Sequence, residues 1–108
     1  MSDLVRRLSE GQHPIIVSLR PDTTVSRLKE CLDRGYVHIK FTETRGGTEL
    51  GVPIDLERSD LQSADFTAET GTLTLVGALT LDYVKVRCIA TVELPSLHGE
   101  GRLEVIAD

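Results

Sequence analysis

The feature that most constrains this chain is a change of hydrophobic rhythm at Gly35. Before it, Val25, Leu28, Cys31 and Leu32 recur every three to four residues; after it, Val37, Ile39 and Phe41 recur at every second residue. The first spacing collects apolar side chains on one stripe of a helix, and the second collects them on one face of a strand. A chain that carries both must bury the stripe against the face. The expected class is therefore α+β: two helices in the N-terminal half packed on a five- or six-stranded, mainly antiparallel sheet. At 108 residues the length fits a single domain spanning 1–108.

The element before Gly35 is the best specified. Pro21-Asp22-Thr23-Thr24 offers a turn and several N-cap residues, and Gly35 stands where a left-handed C′ residue is wanted. Lys29–Asp33 and Glu30–Arg34 are opposite charges four apart on the polar face. An earlier, shorter helix is signalled by Ser2 as N-cap, Asp3 in the first turn, inward Leu4, Val5 and Leu8, and the closing Gly11. Pro14 to Leu19 is short and β-branched, which favours a strand. The strand–helix–strand unit from Pro14 to Thr42 predicts one parallel pair, joined by a crossover helix.

After Gly35 the strands follow one another. Tyr36–Thr42 alternates, Arg45-Gly46-Gly47-Thr48 reads as a hairpin turn, and Leu50, Val52 and Ile54 resume the alternation. Pro53 assigns that return strand to an edge or ends it. Asp55 to Ala68 is polar and irregular, with a helical turn expected from Ser59, anchored by Leu61 and Phe66. This is the expected mobile binding loop. From Thr72 to Leu94 the apolar parity shifts, with Leu73, Leu75, Leu79 and Leu81 odd and Val84, Val86, Cys88, Ala90, Val92 and Leu94 even. One strand of that length would span roughly 75 Å. It must break, either at Gly77-Ala78 or at Leu81-Asp82-Tyr83. Pro95 to Gly101 reads as a loop with a turn at Gly99-Glu100-Gly101, and Arg102–Ile106 as the closing strand.

Charge narrows the function classes. The net charge is −5, with eight basic against six acidic residues up to Arg45 and four against eleven beyond it. That is no footprint of a nucleic-acid binder, which concentrates Lys and Arg on one face. No apolar window approaches a membrane span, and the charged start lacks the apolar core of a secretory signal. Cys31 and Cys88 lie far apart, outside any CxxC or Cys/His cluster, and are read as reduced packing residues of a cytoplasmic protein.

Reactive motifs are missing. His13, His38 and His98 have neither HxH nor HExxH spacing, so no metal site is expected. No GxSxG elbow surrounds a serine, and His98 is a lone loop histidine. Asp55, Glu57, Asp60, Asp65 and Glu69 line one loop without the ligand alternation of a calcium site. No catalytic residue and no cofactor is assigned. The enzyme question is left open, with the balance against one. No motif ties the chain to a family.

One surface carries a positive expectation. With Val37, Ile39 and Phe41 inward, Tyr36, His38 and Lys40 share an outer face; with Val84, Val86 and Cys88 inward, so do Lys85 and Arg87. If those strands are neighbours, a Tyr/His/Lys/Arg patch forms on an acidic protein. It would suit a protein contact or an anionic ligand. The expected function is a non-catalytic accessory or interaction subunit that docks on a larger partner or self-associates. The alternative is a small-molecule module, or a minor enzyme, with a cavity between sheet and helix.

Overall fold

The computed structural model describes residues 3–19, 22–44, 46–94 and 96–106. Ser2, Pro21, Arg45 and Pro95, read above as cap, turn and loop residues, lie outside the described residues. The elements are α1 (Asp3–Ser9), β1 (His13–Val17), α2 (Val25–Arg34), β2 (Tyr36–Phe41), β3 (Thr48–Pro53), β4 (Ala64–Asp65), β5 (Thr70–Leu81), β6 (Val84–Glu93) and β7 (His98–Val105). The strands form one seven-stranded sheet in the order β3-β2-β1-β7-β6-β5-β4. The class is α+β. The strand count of five or six is corrected to seven by β4, two residues inside the polar 55–68 stretch, too short for alternation to announce.

Helix α2 forms as its sequence dictates. The Thr24 side chain accepts from the Arg27 N–H at 3.1 Å, which satisfies one of the donors a helix start leaves open. Gly35, at φ +76°, turns its N–H back to the carbonyls of Cys31 and Leu32. A Cβ at Gly35 would strain that left-handed conformation. Val25, Leu28 and Leu32 are buried in the same core as Val5 and Leu8 of α1.

The expected parallel pair is absent: β1 and β2 are antiparallel, with Val17 opposite Ile39. A parallel neighbour requires the crossover to return the chain to the far end of the sheet. Here Ser18, just after β1, donates to the His38 carbonyl at 2.9 Å, near the start of β2. Helix α2 therefore begins and ends at one end of the sheet, and Gly35 alone reverses the chain into β2.

The inner face is apolar throughout. Ile15 and Val17, Val37, Ile39 and Phe41, Leu50 and Val52, Leu73 and Leu75, Val86 to Val92 at every second residue, and Leu103 are all buried. The sheet curls until its two sides meet at one point. A Cβ on Gly77 would lie 2.0 Å from the Pro53 carbonyl oxygen, and just beyond, Asp55 donates to the Val76 carbonyl at 2.8 Å. Gly77 is thus a residue of close approach, not the break between strands. The break falls at Asp82-Tyr83, a two-residue loop between the paired Leu81 and Val84. Both loop residues have positive φ, +49° and +65°, as the right-handed strand twist demands of such a turn.

Two loop readings are also corrected. Gly99-Glu100-Gly101 is not a turn but lies within β7, paired with both β1 and β6. A Cβ on Gly99 would stand 1.8 Å from the Thr91 carbonyl oxygen, so glycine there permits strand contact. No helical turn starts at Ser59. Arg58 and Ser59 both donate to the Asp55 carbonyl, so the turn precedes it. The Ser59 hydroxyl accepts from the Val76 N–H at 2.9 Å, and Asp60 exchanges two backbone bonds with Thr74. Leu61 and Phe66 pack on the core as expected.

Candidate functional site

The predicted patch does not assemble as one surface. Tyr36, His38 and Lys40 stand on the outer face of β2, and Lys85 and Arg87 on β6, but β1 and β7 lie between these strands. Three strand spacings separate the two groups by roughly 14 Å. Arg87 is engaged by Glu104 at 3.0 Å, and Arg102 reaches the same carboxylate at 3.3 Å. Lys40 lies along Gly47, where a Cβ would come within 2.6 Å of the Lys40 Cε.

Two of its five residues nevertheless line one cleft. Tyr36 and His38 line a cleft of about 320 Å³ where the last turn of α2 meets the start of β2; Ser18, Leu19, Cys31, Arg34 and Glu49 line it too. The Tyr36 and His38 rings meet edge to face, 5.2 Å between centroids. The Tyr36 hydroxyl occupies the space over Gly51: a Cβ there would sit 1.8 Å from it. Any larger residue at 51 would displace the ring.

Arg34 is directed to the cleft by competition along α2. Its expected partner Glu30 is taken by Arg27, which also reaches Asp22 at 3.6 Å. Arg34 instead places Nη2 3.5 Å from the Cys31 sulfur. Among the described residues no carboxylate pairs with Arg34. Sequence reasoning missed Ser18, Leu19, Cys31, Arg34 and Glu49 as site residues. The one available signal was that Arg27 and Arg34 compete for Glu30.

A second surface lies on the outer half of β5. Its backbone groups alternate between β6 and the opposite edge, and the bonds from Thr74 and Val76 to Asp60 and Asp55 assign the even positions to that edge. At Ala78 and Thr80 the same edge has no strand beyond it among the described residues. Both residues are exposed, while Leu79 and Leu81 are half-buried on the inner face. Next to this edge, at the tip of the β5–β6 hairpin, Tyr83 projects fully into solvent.

The remaining candidates are shaped by local bonding. Asp55, Asp60 and Asp65 each accept a backbone N–H two residues on, so these carboxylates hold turns in place. His13 bonds the Glu10 carbonyl, and His98 is an exposed residue at the start of β7. Cys31 and Cys88 are both free thiols. Burial on the inner face of β6 pushes the Cys88 thiol up to about 12, which keeps it protonated and unreactive. Among the described residues no group of three or more His, Cys, Asp and Glu side chains is placed to hold a metal, and no helix is long and apolar enough to cross a membrane. No family model matches the chain, and no curated protein matches it either.

Proposed function

We propose that the protein is a non-catalytic interaction subunit that assembles by adding a strand to the outer edge of β5, and that the strand it takes is the same segment of a second copy. The observation that carries this reading is the bare edge at Ala78 and Thr80 beside a row of half-buried leucines. An unpaired edge of this kind is a template for another chain. The segment Gly77-Ala78-Leu79-Thr80-Leu81 has no charge and no proline. An antiparallel copy therefore sets no like charges against each other, and it continues the row formed by Leu79 and Leu81 across the junction. Tyr83, an aromatic of the kind enriched at contacts, flanks the junction. The two unpaired thiols agree with a reducing, cytoplasmic setting.

Sedimentation equilibrium on the wild type and on Thr80→Pro tests it. The wild type is expected to reach the mass of a dimer with increasing concentration, and the variant to remain a monomer. A wild type that stays monomeric, or a variant that still dimerises, overturns the reading. A second reading, a small-molecule module, is supported by the cleft between α2 and β2, whose volume lies at the lower end of ordinary ligand sites.

A further inference from the structure

We infer that the α2–β2 cleft binds a small aromatic monocarboxylate, with its ring against Tyr36 and His38 and its carboxylate on Arg34. The inference rests on the small-molecule reading and names the ligand class for it. Three features of the cleft select that chemistry.

The first is its aromatic wall. Tyr36 and His38 stand nearly perpendicular, at 83°, and buried Leu19 supplies apolar surface beside them. Two rings at right angles offer one face and one edge, which suits a single flat ring better than a flexible chain. The Tyr36 hydroxyl lies over Gly51 and the residue remains 46% exposed, so its ring surface is available to a ligand.

The second is the cation. Arg34 has no carboxylate partner among the described residues, and only Nη2 is engaged, by the Cys31 sulfur at 3.5 Å. A planar guanidinium presents paired N–H donors that match both oxygens of a carboxylate. The third is the joint placement of the two: an anion held by Arg34 alone forgoes the contacts with the Tyr36 and His38 rings, so a ring-bearing carboxylate is favoured over inorganic phosphate. Ser18 on the cleft wall supplies a hydroxyl for a polar substituent on the ring.

The probe is 4-hydroxybenzoate, added to 15N-labelled protein and followed by amide chemical shifts. Saturable shifts are expected at Ser18, Cys31, Tyr36 and His38, with a Kd of about 0.1–1 mM for a ligand of roughly ten heavy atoms. Arg34→Gln should weaken binding about tenfold or more, and Arg34→Lys should recover part of the loss, since it keeps the charge without the fork. Cyclohexanecarboxylate should bind several-fold more weakly, and inorganic phosphate should leave the cleft amides unmoved. The titration is repeated on Thr80→Pro, so a failed dimer leaves this test intact. Absence of saturable cleft shifts, equal response to phosphate, or unchanged affinity in Arg34→Gln would each overturn the inference.

Discussion

Two stretches of sheet edge in this molecule are built in opposite ways. At β3 the pairing of Ile54 with the Gly35 carbonyl directs positions 49, 51 and 53 away from β2. Those positions hold a charge, a glycine and a proline. Pro53 has no N–H to offer, and charge and proline are the standard means of discouraging edge pairing. On the outer half of β5, Ala78 and Thr80 face the edge with neither device. This contrast is why the proposed pairing is assigned to β5 and not to β3. The two edges meet where Gly77 lies against Val52 and Pro53, and that contact separates the covered half of β5 from the open half.

The largest expected effect comes from forcing that contact apart. Gly77→Val places a side chain into backbone, the Pro53 carbonyl, which flexible neighbours cannot relieve. It should cost about 3 kcal/mol or more, measured by urea unfolding. Loss below ~1 kcal/mol would mean the two edges do not meet.

Next comes proline scanning of the open edge. Thr80→Pro removes an N–H that points away from β6, so the monomer should stay folded while dimerisation weakens on the order of 100-fold. Leu79→Pro removes a ladder bond to β6 and should destabilise the monomer by about 3 kcal/mol. Similar stability of the two variants would reverse the assignment of even positions to the edge.

Cys88 reports on the same closure, because it lies opposite Gly77 in the β5–β6 register. Burial raises its thiol to about 12 in the folded protein, against an unfolded value of about 8.5. The folded state then binds more protons between those values. Stability should decline with rising pH above about 8.5, by up to ~1.4 kcal/mol per pH unit. Denaturation midpoints of wild type and Cys88→Ala, compared across pH 8 to 11, read the difference directly: the variant should lack that part of the slope. The smallest effect is at the hairpin tip. Tyr83→Gly relieves a left-handed conformation at φ +65° and should stabilise the monomer by about 0.5–1 kcal/mol in thermal unfolding.

Much of the fold was legible in the residues because it is local. Thr24, the Val25–Leu32 stripe and Gly35 specify α2 without reference to anything else, and alternation specifies β2 and β3. The parity shift between Leu81 and Val84 needed only a two-residue turn, yet a glycine at 77 looked equally suited to a break. Glycine signals two different things, left-handed backbone and close approach, and only the neighbouring strand tells them apart. Gly99 and Gly101 misled for the same reason. The direction of β2 and the separation of Lys85 and Arg87 from Tyr36 and His38 depend on strand order, which no local pattern encodes. The cleft was half legible: β2 alternation exposed Tyr36 and His38, while the turn of Arg34 towards Cys31 depends on which arginine captures Glu30.

The central claim, that the bare half of β5 is where this chain pairs, is tested most directly by amide hydrogen exchange at Ala78 and Thr80 as a function of protein concentration. The account predicts rapid exchange at these two amides in dilute protein and marked protection in concentrated protein, with Leu79 and Leu81 protected throughout by β6. Exchange at Ala78 and Thr80 that is equally fast at every concentration, in protein that is folded, would contradict it.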